Sequence, residues 1–276
     1  MKAHGYLDLR LLSTALLVST MLSGAASAQS TSPSGSFGFL INAAISNSSP
    51  NATGLAILGV MNFDGAGNVA GTYLYEVDAN SAAAPKTTRG SLTGTYSSNA
   101  DGTGSMTIAL NAGINLTLAM ATGENGQSIR LVATDYQFPA ATCGCNIAGV
   151  SLSGIARATP APSVNGSYAS LLNNSPNVNA SIAVATFDGA GNVALSLTFA
   201  GSSDEKGQPS TPFSGTMTGT YTIDPDGTGA MNFAAVPGVS NAQTFAFVTT
   251  DNGSGAFLVQ LDRPGSGVMT GTARLQ

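Results

Sequence analysis

The side chains able to do chemistry in this 276-residue chain are few, and their types narrow what that chemistry is. The only histidine is His4, inside an N-terminal segment expected to be removed. Downstream there is no imidazole for a Ser-His-Asp or Cys-His relay, nor for a histidine metal site. What remains are carboxylates, tyrosines, a few lysines and arginines, and two cysteines. Cys143 and Cys145 flank one glycine. A bond between them is a candidate disulfide that would stiffen its loop, and because such a ring is small and strained, a redox role is the alternative. Glu76 and Arg130 stand where the second half of the chain carries Ala200 and Phe257. A charged pair unique to one copy is a candidate mark of function. Strand alternation puts Glu76 on the outward side, whereas the bulky counterpart Phe257 argues that Arg130 points inward.

A second group is apolar. Tyr73, Tyr75, Tyr96 and Met106 in the first half, with Phe199, Tyr221 and Met231 in the second, fall on the bulky face of alternating segments. Core filling is their first reading. Their functional reading, to which Arg130 is added, is a lumen for a small apolar molecule oriented by tyrosine hydroxyls. No catalytic residue, metal ligand or cofactor is assigned.

These residues are positioned by a duplication. The heptapeptide FDGAGNV occurs at Phe63–Val69 and again at Phe187–Val193. Each copy is followed at matched distance by a related stretch, GSLTGTYSSNADGTGSM at Gly90–Met106 and GTMTGTYTIDPDGTGAM at Gly215–Met231. The Asp-Gly segments invite a calcium reading, since Asp and Asn oxygens are hard-cation ligands. Each offers too few carboxylates for that, so they are read as turns, with glycine where positive φ is needed. Between them apolar and small polar residues alternate with period two. Strands are expected at 35–45, 54–63, 68–78, 88–98, 103–110, 114–122, 128–136 and 147–158. The second half repeats them at 166–173, 180–187, 192–201, 212–223, 228–235, 242–250, 255–262 and 267–275. Gly94 and Gly219 suit strands that bend or pass close to a neighbour.

The fold expected is all-β, two tandem eight-stranded antiparallel up-and-down barrels, with two β-sandwiches as the alternative. The domain plan is a signal peptide over 1–28, a first repeat over 29–157, a proline-containing linker over 158–164 and a second repeat over 165–276. Lys2 and Arg10, the apolar run from Leu11 to Gly24 and Ala26-Ser27-Ala28 form the signal pattern, so export to the periplasm or exterior is expected. Charged residues are only 8% of the chain and the net charge is −5, without a basic cluster, which argues against nucleic acid as a partner. An apolar inward face argues against insertion as a porin-like barrel.

The paired FDGAGNV and GTYxxxxDGTGxM motifs in an exported eight-strand repeat resemble the allene-oxide-cyclase-like and lipocalin-like barrel domains of bacterial secreted proteins. The resemblance implies a barrel with an apolar cavity. It does not supply catalytic residues, because none of the cyclase's can be matched to positions here. The expected function is therefore an exported, non-catalytic barrel protein holding a small hydrophobic molecule. The alternatives are a cofactor-free isomerase or cyclase acting in the first barrel, and a structural or interaction module of the cell envelope.

Overall fold

The computed structural model describes residues 32–45, 53–78, 86–138, 150–158, 160–175, 179–200, 213–235, 242–261 and 268–276. Sixteen strands account for most of these. The first eight are β1 (Ser34–Ile45), β2 (Thr53–Asp64), β3 (Asn68–Asp78), β4 (Lys86–Ser98), β5 (Thr103–Leu110), β6 (Ile114–Gly123), β7 (Ser128–Gln137) and β8 (Val150–Ala158). The second eight are β9 (Gly166–Ser175), β10 (Asn179–Phe187), β11 (Asn192–Ala200), β12 (Phe213–Ile223), β13 (Thr228–Phe233), β14 (Gln243–Thr250), β15 (Gly255–Leu261) and β16 (Val268–Leu275). Each set pairs antiparallel with its sequence neighbours and closes on itself, β8 against β1 and β16 against β9. The result is two closed eight-stranded barrels in tandem, not sandwiches. Closure leaves no unpaired edge for another chain to extend. Among the described residues no helix is long and apolar enough to cross a membrane.

The repeated heptapeptide is a tight β-turn between adjacent strands. Asp64 accepts hydrogen bonds from the Ala66 and Asn68 backbone N–H at 2.7 and 2.9 Å and from the Asn68 side-chain amide at 2.6 Å. Asp188 does the same with Ala190 and Asn192, at 2.7, 2.9 and 2.6 Å. N–H donors thus point at both oxygens of each carboxylate, the arrangement of an Asx-type turn. Gly65 and Gly67 hold φ of 75° and 105°, which an L side chain resists. The Asn68 side chain, then the backbone N–H groups, hold the Asp64 carboxyl below its ordinary range, and Asn192 does so for Asp188.

The strand glycines mark close approach. A Cβ on Gly94 would sit 2.0 Å from the Thr107 carbonyl oxygen, and one on Gly219 would sit 2.1 Å from that of Asn232. Both are places where the neighbouring strand crowds in as the sheet coils into a barrel.

Each barrel encloses its own apolar core. A third apolar cluster forms outside both lumens, where the barrels meet. Leu40, Ala56, Leu58, Val60 and Leu74 project from the outer face of β1–β3. Facing them are Ala246, Val248, Phe257, Val259 and Leu261 from β14 and β15, with Val268 from β16. Gly38 of β1 lies so near β14 that a Cβ would stand 2.8 Å from the Thr249 carbonyl oxygen. The segment between barrels is also packed: the Ala161 N–H donates to the Thr249 hydroxyl at 2.8 Å, and Val164 is buried at the end of the second core.

This seam corrects the sequence reading of Glu76. The side chain does lie on the outward face, between Leu74 and the register partner Ala56, yet it is only 2% exposed. Its neighbours belong to the inter-barrel cluster, and Thr87 donates a hydrogen bond to it. The outward side of a strand is surface only where nothing covers it.

Two predictions follow from this packing. Gly38→Val should weaken the seam by about 1–3 kcal/mol through overpacking. Small-angle scattering should show a more extended particle while strand content by circular dichroism stays unchanged; an unaltered scattering profile would refute the close approach. For Asp64 and Asp188, a depressed folded pKa means the stabilisation is complete above the ordinary aspartate value of 3.8 and is lost as pH falls through the lower folded value. Asp64→Ala should therefore lower the urea midpoint at neutral pH, and the gap to the unaltered protein should close in strong acid.

Candidate functional site

Tyr73, Tyr75, Tyr96 and Met106 all point into the first barrel and are buried there. Tyr221 and Met231 occupy the second in the same way. The β11 backbone carries Phe199, whose side chain lies outside the described residues, as do Cys143 and Cys145. Strand alternation places Tyr73, Tyr75, Tyr96, Met106, Tyr221 and Met231 correctly because a closed barrel has only one inside.

At one end of each lumen the aromatic residues form matched clusters. Phe63 meets Phe37 and Tyr96 edge-on, with ring centroids 5.3 and 5.0 Å apart. Phe187 meets Tyr168 and Tyr221 likewise, at 5.5 and 5.0 Å. The Tyr96 hydroxyl donates to the Pro33 carbonyl oxygen at 2.7 Å, and Tyr221 to that of Val164 at 3.3 Å. Each tyrosine thus ties the chain entering the barrel to the fourth strand and stoppers that end. Tyr168 adds a hydrogen bond to the Gly253 carbonyl oxygen. In the second lumen the space left among Phe187, Met231, Phe245, Phe247 and their neighbours is about 20 Å³. That is room for about one water molecule.

The first lumen holds a different feature. The Tyr73 hydroxyl donates to Asn111 Oδ1 at 2.7 Å and accepts from the Ala112 N–H at 3.2 Å. The Tyr75 hydroxyl, on a side chain with no exposed surface, has no hydrogen-bond partner. Burial, then the neighbouring Tyr73, pushes its pKa well above the usual phenol value.

Arg130 is not a lumen group. It projects outward from β7 and is exposed, between the buried, inward Ile129 and Leu131. The inference from Phe257 failed because Phe257 also points outward, where the first barrel covers it. Arg130 instead lines a cleft of about 240 Å³ with Ile155, Arg157, Phe257, Thr272 and Arg274. Arg157 pairs with Glu124 at 2.9 Å and, across the seam, with Asp251 at 3.3 Å. Arg274 is also paired with Asp251. The Arg157 side chain is only 16% exposed.

Glu124 and Asp251 escaped the sequence reading. They open matched turns, Glu124-Asn125-Gly126 and Asp251-Asn252-Gly253, with φ of 52° and 55° in the first and 53° and 56° in the second at the non-glycine positions. An acid-Asn-Gly triplet before a strand, repeated in both halves together with an arginine near the end of each, was the available signal. A second cleft, also about 240 Å³, lies between the barrels beside Thr72, Arg89, Asp224 and Asp226. There Thr72 donates to Asp226 at 3.1 Å across the seam. Among the described residues no group of three or more His, Cys, Asp or Glu side chains is placed to hold a metal ion.

No protein-family model matches the chain, and no curated protein matches it in sequence. Solved structures to which the chain shows a likeness include an AttH candidate from Nitrosomonas europaea, at 9% identity and a TM-score of 0.31, covering 87% of this chain and 92% of that one. Another is immune modulator A of Aeromonas veronii, at 11% identity and 0.26, covering 91% and 100%. A third is transferrin binding protein B of Haemophilus parasuis, at 7% and 0.29, covering 88% and 76%. At these scores the similarities carry no functional argument.

The two tyrosine hydroxyls should respond oppositely to removal. Tyr96→Phe loses a buried hydrogen bond and should cost about 1 kcal/mol. Tyr75→Phe removes an unpartnered buried hydroxyl and should be neutral or stabilising. Paired thermal melts check this, and a loss at Tyr75 equal to that at Tyr96 would show that the hydroxyl has a partner in solution.

Proposed function

We propose that this is an exported, non-catalytic tandem-barrel protein of the bacterial envelope or exterior, which works through its outer surfaces and the clefts between its barrels. The observation that carries this reading is the filled second lumen, where aromatic and aliphatic side chains leave about 20 Å³. A drug-sized ligand needs roughly 300–1,000 Å³. The signal pattern over residues 1–28, the uncharged polar composition and the absence of histidine after His4 support the same reading. Nucleic acid and membrane insertion are not part of it, nor is a cofactor. The resemblance to allene-oxide-cyclase-like barrels extends to the eight-strand plan, and no cyclase activity is carried over with it.

One observation favours a second reading, a small apolar molecule in the first barrel. The buried, unpartnered Tyr75 hydroxyl would be satisfied by a guest bearing one polar atom. Tyr73, Tyr96 and Met106 would then be wall residues.

Expression of the full chain in a bacterial host, followed by intact and native mass spectrometry of the exported fraction, separates the two. The expected result is a mature chain beginning at Gln29 with no bound small molecule. A stoichiometric lipid or terpenoid surviving in the native spectrum would overturn the surface reading and establish the lumen one. Retention of residues 1–28 would overturn export.

A further inference from the structure

We propose that the cleft between the barrels at Arg130, Arg157 and Arg274 is a binding site for a small organic oxyanion, a carboxylate or phosphate on a short apolar stem. The whole chain has nine Lys and Arg residues and a net charge of −5, so convergence of three guanidinium groups on one cleft is not a by-product of a basic surface. The strand registers produce it. Arg130 lies opposite Ile155 on β7 and β8, so it stands diagonal to Arg157 on the same outer face. In the second barrel Phe257 lies opposite Thr272, which leaves Arg274 diagonal to Phe257. Docking of the barrels turns these two matched patches toward one space of about 240 Å³.

The charges in that space do not balance. Glu124 and Asp251 are the carboxylates paired there; Arg157 engages both, and Arg274 engages Asp251. Arg130 has no ion-pair partner among the described residues, so the cleft carries one uncompensated positive charge. A guanidinium presents a planar fork that matches carboxylate and phosphate oxygens. Phe257 and Ile155 supply an apolar wall, and Thr272 lines the cleft beside them. Arg157, held by acids from both barrels, fixes the geometry; Arg130, exposed and uncommitted, supplies the contact.

The volume is below that of drug-sized sites, so the guest is small. Because the walls come from both barrels, its binding also clamps them together.

The test is isothermal titration of the full protein with benzoate and with inorganic phosphate, each at constant ionic strength set with chloride. Benzoate should bind saturably at one site, and Arg130→Gln should weaken it at least tenfold while the thermal midpoint without ligand stays unchanged. Heat no different from the chloride control for both probes would overturn the proposal. So would unchanged benzoate affinity in Arg130→Gln. Phosphate binding without benzoate binding would keep the oxyanion site and remove the apolar stem. Because Arg130 is exposed and outside both cores, this variant reports on the cleft without bearing on lumen occupancy.

Discussion

The apolar seam between the barrels is the contact on which the rest of the molecule depends. Two closed barrels joined by a short segment have no sheet hydrogen bonds to share, so side-chain burial holds them in one arrangement, helped by the Thr72–Asp226 and Arg157–Asp251 contacts. The seam uses large groups for this. Phe257 and Leu58 are each 2% exposed, and Val248 and Val259 are fully covered. Each such side chain contributes roughly 1.5–3 kcal/mol when removed from water. Gly38 then permits an approach to β14 that any side chain would prevent. From that fixed docking come the buried Glu76, the cross-seam bond from Arg157 to Asp251, and both clefts.

Much of the architecture was legible in the chain because it is local. FDGAGNV and DGTG specify turns through side-chain-to-backbone hydrogen bonds within four residues, and alternation then assigns an inside to each strand. Tyr96 and Tyr221 could be placed inward on those grounds alone. Glu76, Arg130 and Phe257 could not, because alternation tells which side of a strand a residue occupies, and not what lies beyond it. Phe257 looked like a lumen residue since a bulky apolar group needs burial, and a second barrel satisfied that need from outside. The role of Glu124 and Asp251 was hidden for a related reason. Their arginine partners lie more than twenty residues away in sequence, and the pair that crosses the seam, Arg157 and Asp251, is separated by 94 residues.

Inside the barrels the tyrosines serve the fold in a way that composition does not reveal. Tyr96 and Tyr221 are stoppers: their rings stack edge-on against phenylalanine and their hydroxyls fasten the entering chain. In the second barrel the side chains around that stopper leave only about 20 Å³. Tyr75 carries a buried hydroxyl left without a partner, as do Ser98 in the same barrel and Ser181 in the second.

The seam joins unlike faces, β1–β3 of one repeat against β14–β16 of the other, which is a head-to-tail joint of the kind that builds rings or open filaments when every unit carries both faces. In the second barrel the cross-strand pair matching Leu40 and Leu58 is Leu171 and Ile182, 48% and 63% exposed, so that receiving face is still adhesive. The first barrel's β7–β8 face carries Arg130 at the place of Phe257 and Ser151 at that of Val268, and Arg130 turns toward the second barrel at the cleft. The two repeats are therefore not interchangeable: the face that receives a neighbour is covered in the first barrel and left bare in the second.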